Sequence, residues 1–98
     1  MLFDSTQYGK PISEKLSQYI KDWTSKPDYT NVCISTGVSQ STIRDVVYRT
    51  NSLTENNSKA ILELMRLAVQ NCTNKISYAK KVKEELEKHL EEHEPNCP

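Results

Sequence analysis

A short stretch in the middle of the chain, GVSQSTIRDVV from Gly37 to Val47, holds four side chains of the kind that read base edges. The amide of Gln40 can pair bidentately with adenine N6 and N7. The guanidinium of Arg44 can reach guanine O6 and N7 or a phosphate. The carboxylate of Asp45 can accept from cytosine N4, and the hydroxyl of Ser41 can bond to several bases. Other chemistry has less to work with. Ser39 and Ser41 have no histidine placed to activate them, and a helix cap and a surface contact explain both. The chain has no glycine-rich phosphate loop and no paired-carboxylate motif, so it does not read as an enzyme. His89, His93 and Cys97 step by four, but Pro95 ends the helix before Cys97 and no second cysteine lies near to complete tetrahedral zinc. These residues predict two exposed histidines rather than a metal centre, and no cofactor is implied.

The elements around the stretch must aim it. Gly37 tolerates the left-handed backbone that stops one helix and turns the chain into the next, and Ser39 is a good N-cap for that next helix. Upstream, residues 1–9 read as an extended arm and Pro11 suits a first helical turn. Ile12, Leu16, Tyr19, Ile20 and Trp23 then line one face of an amphipathic helix. Pro27 pushes Lys26 out of helical geometry, and Asp28 caps a short second helix from about Tyr29 to Thr36. Cys33, small and four residues before Gly37, lets the second and third helices approach. Val38 plugs the space under the turn. Ile43, Val46 and Val47 face the core, which leaves the four polar residues outward on a third helix over about 40–49.

A fourth helix, capped by Thr54 or Ser52, carries Ala60, Ile61, Leu64, Met65, Leu67 and Ala68. The polar NCT at 71–73 breaks it. A fifth helix carries Ile76, Ala79, Val82, Leu86 and Leu90 on a stripe too thin and too charged for a core. No segment alternates as a strand should, so the chain reads as all-α with five helices. Residues 1–72 form the helix-turn-helix domain and 73–98 a C-terminal helix and tail. Val82, Leu86 and Leu90 are the candidate dimerisation residues.

Residues 29–69 resemble the lambda-repressor-like helix-turn-helix family, the phage repressor and Cro group. GVSQSTIRDVV is similar to that family's turn and recognition helix, and SLTENNSKAILELMRLA to the helix after it. The resemblance implies a double-stranded DNA-binding transcriptional regulator of a bacterium or phage, acting by repression. It makes Gln40, Ser41, Arg44 and Asp45 the base-facing set. It also implies backbone phosphate contacts at Lys26, Thr30, Asn31, Ser39, Arg49, Thr50 and Asn51. Thr36 departs from the family, standing where an apolar residue is usual. Asp45 is also explained by an i,i+4 pair with Arg49.

Composition bounds these readings. The 98 residues are 36% hydrophobic and 27% charged with a net charge of zero, so one soluble domain is expected and no whole-chain basic signal points to nucleic acid. Up to residue 50, six cations face five acids. A balanced monomer binds DNA weakly, which predicts a homodimer through the C-terminal helix. The competing reading is a protein-interaction adaptor or antitoxin-like component that uses the fold without reading DNA. Three cysteines without close pairs, and an N-terminus without a cationic leader, predict a cytoplasmic protein. No apolar run is long enough to span a membrane, and no small-molecule ligand is evident.

Overall fold

Ser13 rather than Pro11 opens the first helix. In the computed structural model, which describes residue 3 and residues 5–93, α1 spans Glu14–Trp23. The Ser13 hydroxyl accepts from the Leu16 amide at 3.1 Å, which satisfies one orphan donor of the first turn. The arm before it is not extended as expected. Ser5–Gln7 make a 3-10 turn, and Phe3 and Tyr8 pack on the core. The Gly9 amide donates to the Leu53 carbonyl at 2.7 Å and the Leu53 amide to the Lys10 carbonyl at 2.9 Å. These two bonds tie the arm to the loop before the last helix.

The second helix also starts elsewhere than the sequence predicts. α2 spans Lys26–Thr36, so Lys26 is helical. Ser25 is the cap residue, and the Asp28 carboxylate accepts from both its amide, at 2.9 Å, and its hydroxyl, at 3.3 Å. Pro27 falls in the first turn, where its missing N–H has no partner to lose. That arrangement outweighs the bias proline exerts on the residue before it.

Gly37 ends α2 at φ 76°, ψ 3°, its amide donating to the Cys33 carbonyl at 2.9 Å. Thr36, the residue out of place in the family pattern, has a use here. Its hydroxyl donates to the Val32 carbonyl at 2.7 Å and accepts from the Val38 amide at 3.3 Å, so it spans the turn. α3 spans Gln40–Val47 and stops two residues short of the expected end. Arg49 adopts a left-handed backbone at φ 65°. Such a conformation costs a non-glycine residue roughly 1–2 kcal/mol. Its side chain offsets this by donating to the Ile12 carbonyl at 2.7 Å and pairing with Glu14 at 3.3 Å.

The expected fourth and fifth helices are one. α4 spans Glu55–His93, 39 residues, roughly 58 Å at 1.5 Å per residue. Thr54 and Asn57 cap it reciprocally, each side chain accepting from the other's amide. The break expected at 71–73 does not occur, because nothing there opposes a helix. The polarity has another cause: the Asn71 amide donates to the Trp23 carbonyl at 2.8 Å and to the Asp28 carboxylate at 3.2 Å. It pins α4 to the α1–α2 junction. The described residues therefore form four α-helices and no strand.

α1, α2 and α3 all pack on the N-terminal half of α4, whose free half extends the molecule to 64 × 25 × 22 Å. Ile20, Val32, Ile43, Val46, Ile61 and Leu64 are among the buried core residues, each exposed by no more than 1%. Ser17 is buried among them, and its hydroxyl donates to the Val47 carbonyl, one of the acceptors that α3 leaves unpaired at its end. Ser17→Ala strands that acceptor in the interior, at a cost of about 1–3 kcal/mol. Thermal unfolding should show a Tm lowered by roughly 4–20 °C; an unchanged Tm would show that water replaces the hydroxyl.

Candidate functional site

α3 turns its apolar side inward and its polar side out. Ile43, Val46 and Val47 are fully buried, while Ser41, Arg44 and Asp45 are exposed and Gln40 is half-buried. Ser39 caps the helix: its hydroxyl accepts from the Thr42 amide at 3.2 Å and donates to the Thr42 hydroxyl at 2.8 Å. Gln40 is held from below. Its Nε2 donates to the Thr30 hydroxyl at 2.6 Å, which orients the amide across the α2–α3 junction. Thr30 therefore positions Gln40 as well as standing near the start of α2. Asn31, one residue on, is exposed.

The other expected phosphate contacts divide. Lys26 sits at the first position of α2, on the rim of a cleft of about 340 Å³ that Lys21, Thr24, Ser25, Tyr29, Arg44 and Tyr48 also line. Three cations and four hydroxyls thus meet between the end of α1, the start of α2 and the outer side of α3. Arg49 does not share this cleft. It is committed to Ile12 and Glu14, which lie at the other end of α1 from Lys21. The Asp45–Arg49 pair accordingly does not form. Instead the Asp45 carbonyl accepts from the Thr50 amide, the Asn51 amide and the Thr50 hydroxyl at 2.9–3.1 Å. Those donors face α3 rather than outward, and the Asp45 side chain remains exposed.

Lys21, Tyr29 and Tyr48 join the site without any signal in the sequence pattern. Lys21 lies in the last turn of α1, and its ammonium sits 5.1 Å from the centre of the Tyr48 ring. Only the packing of α1 beside α3 brings it there, and nothing in its local spacing marks it. Burial pushes the Tyr29 phenol above its ordinary 10.0, although a hydrogen bond with Thr24 and the Arg44 charge act the other way. It stays protonated as a neutral donor. The folded chain holds this proton more tightly than the unfolded one, so stability present below pH 10.0 is lost as pH rises through the raised value.

Two further features lie toward the end of α4. His89, Glu92 and His93 place one donor atom each within 4.8 Å of one another, all exposed, with the imidazoles stacked at 6.2 Å between centres. Glu92 joins the histidines there, one donor short of a tetrahedral zinc set; Cys97 and Pro95 lie outside the described residues. Leu86 and Leu90, two of the three expected dimerisation residues, are exposed by 58% and 55%, and Val82 is half-buried.

No protein-family model matches the chain, and neither does any curated protein or solved structure. No helix among the described residues is long and apolar enough to cross a membrane.

Proposed function

We propose that this chain is a sequence-specific double-stranded DNA-binding regulator of the lambda-repressor-like kind, cytoplasmic and dimeric, that represses by occupying a promoter. One observation carries the reading. The α2–Gly37–α3 unit buries Ile43, Val46 and Val47 and presents Gln40, Ser41, Arg44 and Asp45 on the opposite face. A helix so presented fits the major groove, with the side chains of its N-terminal part at base edges. The cleft beside it supplies what net charge does not: Lys21, Lys26 and Arg44 gather cations at one edge of the reading face, where a backbone phosphate would lie.

The test is binding of the purified chain to its own upstream DNA and to random duplex, at two salt concentrations. Sequence-dependent binding that persists near physiological salt supports the reading. Replacing Lys21 and Lys26 together by alanine should weaken binding to both duplexes alike and reduce the salt slope by about 1 for each lysine. A loss confined to the specific duplex would mean that these lysines touch bases rather than phosphates.

A second reading, a protein-interaction adaptor or antitoxin-like component, is favoured by the exposure of Ile34 on α2, 77%. An apolar group so placed suits a protein surface better than a phosphate backbone. Absence of DNA binding even at low salt would select it.

A further inference from the structure

The free half of α4 is built for a second copy of itself. Beyond Lys75, whose ammonium lies 5.3 Å from the centre of the Trp23 ring, every described residue except Val82 is exposed. Yet the free half keeps a regular apolar seam. Ile76, Ala79, Leu86 and Leu90 fill four of the six positions of a register that alternates steps of three and four from 76 to 93, and Lys83 and His93 occupy the other two. A seam with a period of 3.5 stays on one side only if a partner helix winds along it. Ile76, Leu86 and Leu90 remain 55–68% exposed in the single chain.

The charges say which way the partner runs. From 74 to 83 the helix carries Lys75, Lys80, Lys81 and Lys83 and no acid. From 84 to 92 it carries Glu84, Glu85, Glu87, Glu91 and Glu92 against the single cation Lys88. For an isolated helix this order is adverse, since the C-terminal end of the dipole favours cations. The Lys83–Glu87 pair, at 3.0 Å, also has its lysine on the less favourable N-terminal side. A parallel partner would set lysines on lysines and glutamates on glutamates. An antiparallel partner sets the basic half of each helix against the acidic half of the other.

We propose that two copies pair antiparallel through residues 76–93, with the two-fold axis near residue 84. In this register Leu90 of one copy meets Ala79 of the other, His93 meets Ile76, and Lys80 faces Glu87. The pairing deepens the dimer proposed above. Where the chain also reads DNA, it holds the two α2–α3 units roughly 60 Å apart by helix rise, nearer two turns of B-DNA than one.

The test needs no DNA, so failure of the pairing and failure of the DNA reading are told apart. Cysteine is placed singly at exposed seam positions in a full-length chain with Cys33, Cys72 and Cys97 replaced by alanine, and oxidised. Ile76→Cys alone should not cross-link, because its two copies lie roughly 25 Å apart. A mixture of Ile76→Cys and His93→Cys should cross-link efficiently. Sedimentation of the unaltered chain supplies a control that no substitution can disturb. It should show a dimer whose dissociation constant rises about tenfold between about 50 and about 500 mM salt, as attraction between opposite charges is screened. Self-linking of Ile76→Cys, a dimer that tightens with salt, or a monomer at several hundred micromolar would each overturn the proposal.

Discussion

Replacing Gln40 and Arg44 together by alanine should abolish sequence-specific DNA binding and leave the fold standing. Each side chain is expected to make one bidentate base contact, worth about 1–3 kcal/mol of discrimination. Losing both should weaken specific binding by roughly 30-fold to 10⁴-fold while binding to random duplex falls much less. The structural cost is small and can be separated. Gln40→Ala removes the 2.6 Å bond to Thr30 between two exposed or half-buried groups. Such a bond contributes about 0.5–1.5 kcal/mol. Thr30→Val removes the same bond and keeps the Gln40 amide, so it controls for positioning. If Thr30→Val loses as much specificity as Gln40→Ala, the amide must be held in place before it can read a base. The outcome that sinks the assignment is a folded double mutant that still prefers its own upstream DNA.

The parts of the site that were legible in the sequence are those fixed by local chemistry. Gly37 and Ser39 mark the turn because only a few residue types suit a left-handed C-cap and an N-cap, and both residues occupy those places. The buried face of α3 follows from the spacing of Ile43, Val46 and Val47. What was not legible depends on contacts across the chain. Lys26 is helical because the Asp28 carboxylate reaches back to Ser25, a competition that a proline rule applied alone decides wrongly. Asn71 looks like a break until Trp23 and Asp28 are seen to be its partners, 48 and 43 residues away. Arg49 carries no local signal for the left-handed backbone at φ 65° or for the bond to the Ile12 carbonyl by which it ties the end of α3 to the start of α1. Lys21 enters the cleft only through the packing of α1, so no local pattern could have found it.

The largest effect on stability should come from Leu64→Ala, and Leu90→Ala, the same change on the same helix, should do almost nothing to the monomer. Leu64 is fully buried in the half of α4 on which α1, α2 and α3 all pack. Truncating it removes buried methyl groups and leaves a cavity in the core, at a cost of about 2–5 kcal/mol. A domain of this size has roughly 5–15 kcal/mol in all, so denaturant titration should show a midpoint lowered by about a third at the middle of both ranges. Leu90 is 55% exposed, in the stretch beyond Lys75 where every described residue except Val82 is exposed. Its truncation should leave the monomer's unfolding free energy within about 0.5 kcal/mol of the original. The two variants then part company with concentration. Leu64→Ala destabilises the chain at any concentration. Leu90→Ala reveals itself only where two copies meet, as a dimer that forms at higher concentration than before. A Leu90→Ala chain that melts early when dilute would mean that the free half of α4 folds back on its own body rather than onto a partner.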